Sequence, residues 1–235
     1  MASEFLPAAL AGIAIAIGPF LVMSIYIARG RWSLWKAFLF GWGGWFIALV
    51  IRIIPVQLPA AFLASELAAN TALLLLYIAF ASAMAGLFEE GMRYLFLDQR
   101  KQLRASWKGL LSFGLGWGVG EAMIIYVPSI AALPFLAEKL PSFLEILPGA
   151  IERNIAILAH IGFTFIVLRS VTGREKGKRF LLLAMFLHFT LNIASASALI
   201  LTENVWLTEA VAAIITIAIL VIAYRLNTGR IPRPR

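Results

Sequence analysis

The stretch GLFEEGMRYLFL, Gly86–Leu97, sets two adjacent glutamates and an arginine inside a run that is otherwise apolar enough to cross a membrane. On insertion scales each charged group at the centre of a spanning helix costs about 2.5–3.5 kcal/mol. A chain that keeps Glu89, Glu90 and Arg93 there must bury them against one another or against other helices. Neighbouring helical residues project about 100° apart, so at most one of the two glutamates points squarely into any shared site. Arg93 follows Glu89 by four positions and Glu90 by three, within reach of either. The economical arrangement pairs one carboxylate with Arg93 and leaves the other for chemistry.

The rest of the chain agrees with a bilayer as solvent. It has 235 residues, 62% hydrophobic and 14% charged. Apolar runs fall at about 5–28, 33–57, 70–97, 109–127, 149–168, 180–201 and 207–226, each long enough for one crossing at roughly 20 residues per span. No linker or low-complexity tract divides them, so residues 1–235 are expected to form one transmembrane domain, all helical. The first run carries Glu4 and no basic leader, and it reads as a spanning helix and not as a cleaved signal. Cysteine is absent, which excludes disulfides, thiolate metal sites and a cysteine nucleophile.

The net charge of +8 comes from short segments between the apolar runs, which argues for membrane topology and against nucleic acid. One set of segments holds Arg29, Arg31 and Lys36, then Arg100, Lys101, Arg104 and Lys108. It continues with Arg169, Arg174, Lys176, Lys178 and Arg179, then Arg225, Arg230, Arg233 and Arg235, sixteen of the 20 basic residues. The opposite segments hold Glu4, Glu66, Glu138, Glu145, Glu203 and Glu209, with Lys139 as the one cation. The positive-inside rule then puts the N-terminus outside and the C-terminus in the cytoplasm. The piece from Val127 to Pro148, broken by Pro128, Pro134, Pro141 and Pro148, is expected as a short amphipathic or re-entrant connector at the outer surface.

Helical rise converts the buried polar positions to depth. Glu89 and His188 each lie roughly 12 Å from the cytoplasmic ends of their spans, His160 roughly 13 Å and Glu121 roughly 18 Å. Four groups on four helices share a layer, and they include both histidines of the chain. His188 and Asn192 lie one turn apart on one face, as do His160 and Thr164. In GLGWGVGEAM, Gly114–Met123, two overlapping GxxxG spacings let neighbouring helices approach closely and hold Glu121 inside the bundle. Carboxylates with two imidazoles suit water activation: a carboxylate takes the proton while the imidazoles bind a metal or stabilise an oxyanion. Arg52, Glu152 and Arg153, nearer the outer ends, are expected to be structural, with Arg52 pairing with Glu152.

In order along the chain, E-E-x-x-R, G-x-G-x(4)-E, E-R-x(6)-H and H-x-x-x-N resemble the YhfC family of membrane peptidases. The stretches ALVIRIIP, Ala48–Pro55, and IERNIAILAHIGFT, Ile151–Thr164, resemble it too. More widely the chain is similar to the PrsW-type and CAAX-prenyl-endopeptidase superfamily, which includes the anterior-pharynx-defective subunit of γ-secretase. The resemblance covers most of the chain from Trp42 to Asn192. It implies a helical bundle with a site opening toward the cytoplasmic leaflet, in a multi-pass protein of a prokaryotic plasma membrane. It implies Glu89 as the general base, Glu90 supporting it and Arg93 orienting the pair. His160, His188 and Asn192 are implied as metal ligands or oxyanion donors, with Glu121 completing the site. Zinc suits two histidines with one or two carboxylates, and a metal-free glutamate mechanism stays open beside it. One departure is Trp117, which stands where the family's glycine-rich motif carries a histidine.

The leading expectation is an intramembrane endopeptidase acting on a membrane-embedded or lipid-anchored peptide. The alternatives are a non-catalytic scaffold that binds a partner membrane subunit and, less favoured, a proton-coupled transporter. No inverted repeat of the usual transporter kind is evident.

Overall fold

The computed structural model describes residues 2–173 and 177–228. Of the basic residues that orient the chain, Arg174, Lys176, Arg230, Arg233 and Arg235 lie outside that set. Eight α-helices run in the order α1 Ala2–Ala28, α2 Trp32–Phe62, α3 Ala64–Ala69, α4 Thr71–Gln99, α5 Trp107–Leu136, α6 Phe143–Thr172, α7 Lys178–Thr202 and α8 Val205–Asn227. Seven of them, all but the short α3, are long and apolar enough to cross a membrane. The expected all-helical bundle of seven spans is therefore present. Its exposed faces are apolar, as at Val22, Ile54, Leu76, Phe186 and Ile214.

Starts and stops follow local chemistry. Asn70, Ser106 and Asn204 each precede a helix and accept a hydrogen bond from the backbone N–H three residues on, at 3.1 Å. Gly30 makes the turn from α1 to α2 with a φ of +76°, where a side chain would strain the backbone.

The proline-rich connector expected from Val127 to Pro148 is mostly helix. α5 runs through Pro128 and Pro134 to Leu136, and α6 starts at Phe143 with Pro148 inside it. In a bilayer a proline within a helix is tolerated where neighbouring groups re-satisfy the freed backbone. α6 also begins on a helix-start signal, Ser142-Phe143-Leu144-Glu145, in which Glu145 reaches back to accept the Ser142 N–H at 2.7 Å. Likewise α2 continues past the expected end at residue 57, through Pro55 and Pro59.

Five helices close a ring, with α2 on α4, α4 on α7, α7 on α6, α6 on α5 and α5 on α2. α1 packs outside against α5 and α6, and α8 against α6 and α7. Because lipid tails are as apolar as leucine, close helix contact here depends on small residues and polar groups. The α5 glycines supply it on two faces. A Cβ on Gly116 would fall on the Phe38 carbonyl oxygen of α2, and one on Gly41 of α2 would fall on the Phe113 carbonyl of α5. On the other face Gly118 lies against the Ile157 Cα of α6 and Gly114 against Ile161 and Thr164. The glycine run thus carries both neighbours close enough to set Glu121 among them.

Substituting Gly116 with alanine should push α2 and α5 apart and cost about 1–3 kcal/mol, the usual price of overpacking. Thermal unfolding in detergent checks this against Gly43→Ala, whose Cβ meets nothing within 4 Å and should leave the midpoint unchanged or raise it, as alanine does for glycine inside a helix.

Candidate active site

Arg93 of α4 is fully buried and sits at the centre of the ring. Its Nη1 donates to the His160 carbonyl at 2.7 Å and to the Thr164 hydroxyl at 3.0 Å, both on α6. Its Nη2 lies 3.0 Å from His160 Nδ1, and its guanidinium stands 4.3 Å over the Trp117 ring of α5. Its Nε is 3.2 Å from Glu90 Oε2. That pair is close enough for charge attraction, but its angle is too poor for a hydrogen bond. A guanidinium only donates, so His160 Nδ1 accepts and the ring proton rests on Nε2. Nε2 in turn donates to Glu121 Oε2 at 2.7 Å.

From there the polar groups run on without a gap. Glu121 Oε1 accepts from Arg153 Nη1 at 3.0 Å, and Arg153 is paired with Glu152 on the same helix. In the other direction Glu90 Oε1 meets His188 Nδ1 at 2.8 Å, and the His188 ring stacks on Phe163 at 4.9 Å. A second arm covers Glu89, whose Oε1 accepts from Arg52 Nη1 at 2.6 Å and whose Oε2 accepts the Trp117 indole N–H at 3.2 Å. The two glutamates of the opening stretch divide as their 100° offset requires. Glu90 goes to Arg93 and His188, and Glu89 to Arg52 and Trp117.

One expectation needs correcting. Arg52 pairs with Glu89 and not with Glu152, because it faces α4 across the ring. Arg52 and Arg153 each hold a carboxylate of the central layer and tie two helices together. Trp117 is the third participant that the residue types alone did not reveal. It lies one turn before Glu121 and is completely buried. The signal for it was there, a single indole N–H placed in a glycine run beside a carboxylate layer.

A cavity of about 260 Å³ opens beside this layer, lined by Arg52, Glu89, Glu121, Glu152, Arg153, His160, His188 and Asn192. Ser195, Ala196, Thr208 and Ala212 continue the lining toward the end where α7 stops and α8 begins. On the topology expected from the loop charges that end faces the exterior, whereas the resemblance implies a cytoplasmic opening. Glu90 and Arg93 stay behind the wall and do not line the cavity. A larger hollow of about 840 Å³ lies between α1 and the α5–α6 connection, remote from both histidines.

Glu89, Glu121 and His160 each bring a donor atom within 4.8 Å of the others. Two buried carboxylates and an imidazole nitrogen form a donor set that zinc accepts, so these residues fit a metal ion. Ligation by His160 Nε2 would displace the proton it now shares with Glu121, and Arg93 Nη2 would have to yield at Nδ1. His188 lies outside that set of three, but its ring centre is 5.7 Å from that of His160. With Nδ1 engaged by Glu90, His188 keeps Nε2 without a protein partner among the described residues.

The sequence profile of the YhfC intramembrane metalloproteases matches residues 13–142. The chain belongs to that family. The match takes in Arg52, Glu89, Glu90, Arg93, Trp117 and Glu121, while His160, His188 and Asn192 lie beyond it. A curated relative, described as an uncharacterized membrane protein YhfC from Bacillus subtilis (strain 168), is 32% identical over 145 residues, covering 50% of this chain and 55% of the relative. The chain thus spans about half the length of that relative. With seven apolar helices and this relative, it is a multi-pass prokaryotic membrane protein.

Replacing Arg93 with methionine should strand Glu90 without a cation in the protein interior and cost about 3–5 kcal/mol. The yield of monodisperse protein and its unfolding midpoint read this out. An Arg93→Met variant as stable as the parent would show that Arg93 does not anchor the layer.

Proposed function

We propose that the chain hydrolyses a peptide bond of a membrane-embedded or lipid-anchored polypeptide. The observation that carries this reading is the buried cavity on which the Glu89, Glu121 and His160 donors converge, with the open nitrogen of His188 beside them. Glu90 fixes His188 with its proton on Nδ1, as a carboxylate behind an imidazole does in hydrolytic triads, and Nε2 is left to act as base. Glu89, the base that the resemblance implies, has each oxygen engaged by Arg52 or Trp117 and keeps one lone pair on each for a metal. His188, whose Nε2 has no protein partner among the described residues, is taken as the base, and Glu89 as a holding residue.

A cavity water gives a proton to His188 Nε2 while its oxygen bonds to the substrate carbonyl carbon, leaving the charge on the carbonyl oxygen. The C–N bond then breaks as the His188 imidazolium returns the proton to the leaving nitrogen. A carboxylic acid and a free amine result, and the acid's proton passes to the amine to leave a carboxylate and an ammonium. A metal held by Glu89, Glu121 and His160 would supply Lewis acidity at the carbonyl. The apolar helix faces around the ring exclude bulk water and present the site to lipid-borne segments.

The same ion pairs also tie helices together: Arg52–Glu89 joins α2 to α4, and Arg153–Glu121 joins α6 to α5. That favours a scaffold as the second reading, one in which the layer serves only to fix the bundle and receive a partner helix.

Purified protein in liposomes, presented with synthetic transmembrane peptides, should release fragments detectable by mass spectrometry. His188→Ala should slow cleavage by about 10²–10⁴, the usual contribution of acid–base catalysis, with the fold retained. Cleavage at the parent rate by His188→Ala overturns the mechanism, and a parent protein that cleaves nothing favours the scaffold.

A further inference from the structure

Beside the first cavity lies a second, of about 350 Å³, formed by α2, α4, α5 and α7. The two share Arg52, Asn192 and Ala196. The second is lined by apolar residues such as Leu49, Ile53, Val56, Ile78 and Ile125, and Arg52 is the one charged residue in its wall. We propose that this cavity is the subsite for the acyl half of the substrate, an apolar segment whose carboxylate, once formed, pairs with Arg52. The assignment rests on the hydrolase reading above.

Three observations support it. First, Arg52 is placed at the junction of the two cavities, its side chain 16% exposed where that of its partner Glu89 is 2% exposed. Second, only its Nη1 is committed, to Glu89. Nε and Nη2 have no protein partner among the described residues, and a guanidinium receives a carboxylate through two parallel N–H bonds. Third, Arg52 lines both cavities, so the charged carbonyl oxygen and then the product carboxylate formed in the first meet a guanidinium that also borders the second. Gln57, Ser82 and Asn192 are the other polar side chains of the wall, and Arg52 is its one cation.

The test is equilibrium binding to the full chain in detergent, using acetyl-trileucine as the free carboxylate, the same peptide as its amide, and decanoate. The peptides are recovered after each measurement and shown intact by mass spectrometry, so the reading is of binding and not of turnover. The parent protein should prefer the carboxylate to the amide by about tenfold, the scale of one charge-assisted contact. Glu89→Gln removes the competing anion and should strengthen carboxylate binding further. In the double variant Arg52→Gln with Glu89→Gln neither charge is left unpaired, and the preference should vanish. A parent that does not distinguish carboxylate from amide overturns the proposal, as does a preference that survives in the double variant. Decanoate binding as tightly as the peptide makes the cavity a fatty-acid site and overturns the peptide subsite. A chain that binds as expected but cleaves no transmembrane peptide loses the hydrolase reading and keeps the anion site.

Discussion

The contact on which the rest depends is that of Arg93 with α6. One guanidinium, fully buried, donates to a backbone carbonyl, a hydroxyl and an imidazole nitrogen of α6, lies against Glu90 of its own helix and covers Trp117 of α5. In lipid these donors have no water to fall back on, so they fix the rotation of α4 relative to α6. That rotation decides which way Glu89 and Glu90 point. It also decides the proton position on His160, because a guanidinium cannot accept. The chemistry of the cavity is therefore set by a residue that does not line it.

Charge around the layer is distributed in alternation. Arg52, Arg93 and Arg153 separate Glu89, Glu90, Glu121 and Glu152, so every carboxylate has a cation beside it. Such a set is expensive to bury and weak as a source of stability when compared with apolar packing. Its retention makes sense where the groups are needed near water and near a reacting carbonyl. The glycine run of α5 is the complement on the packing side. It brings α2 and α6 to within backbone contact and so places carboxylates from α4 and α5 against α6.

Much of this was legible in the residues. Apolar runs gave the seven spans, and helical rise put Glu89, Glu121, His160 and His188 in one layer, where the structure has them. Depth along a helix, however, does not say which way a side chain faces. Arg52 and Glu152 share a depth, but Arg52 turns toward α4, so its partner could be read only once the ring was closed. The prolines misled because Pro128 and Pro134 were read by the rules of aqueous helices, while in lipid the helix is kept by the absence of any other partner for its backbone. Ser142 and Glu145 marked the true start of α6 in plain view. Trp117 was legible as a departure from the family pattern but not as a hydrogen-bond donor to Glu89.

The central claim is that the charged layer lines a wet cavity and is not merely glue between helices. The chain contains no cysteine, so a single one introduced at Ala196, which lines both cavities, reports on water directly. In sealed vesicles, a charged methanethiosulfonate reagent should modify Ala196→Cys and leave Leu199→Cys, on the exposed apolar face, untouched. Reagent added to one side or the other also gives the end at which the cavity opens. An Ala196→Cys protein as inert as the lipid-facing control would mean that no water reaches the layer, and the hydrolytic account would fail.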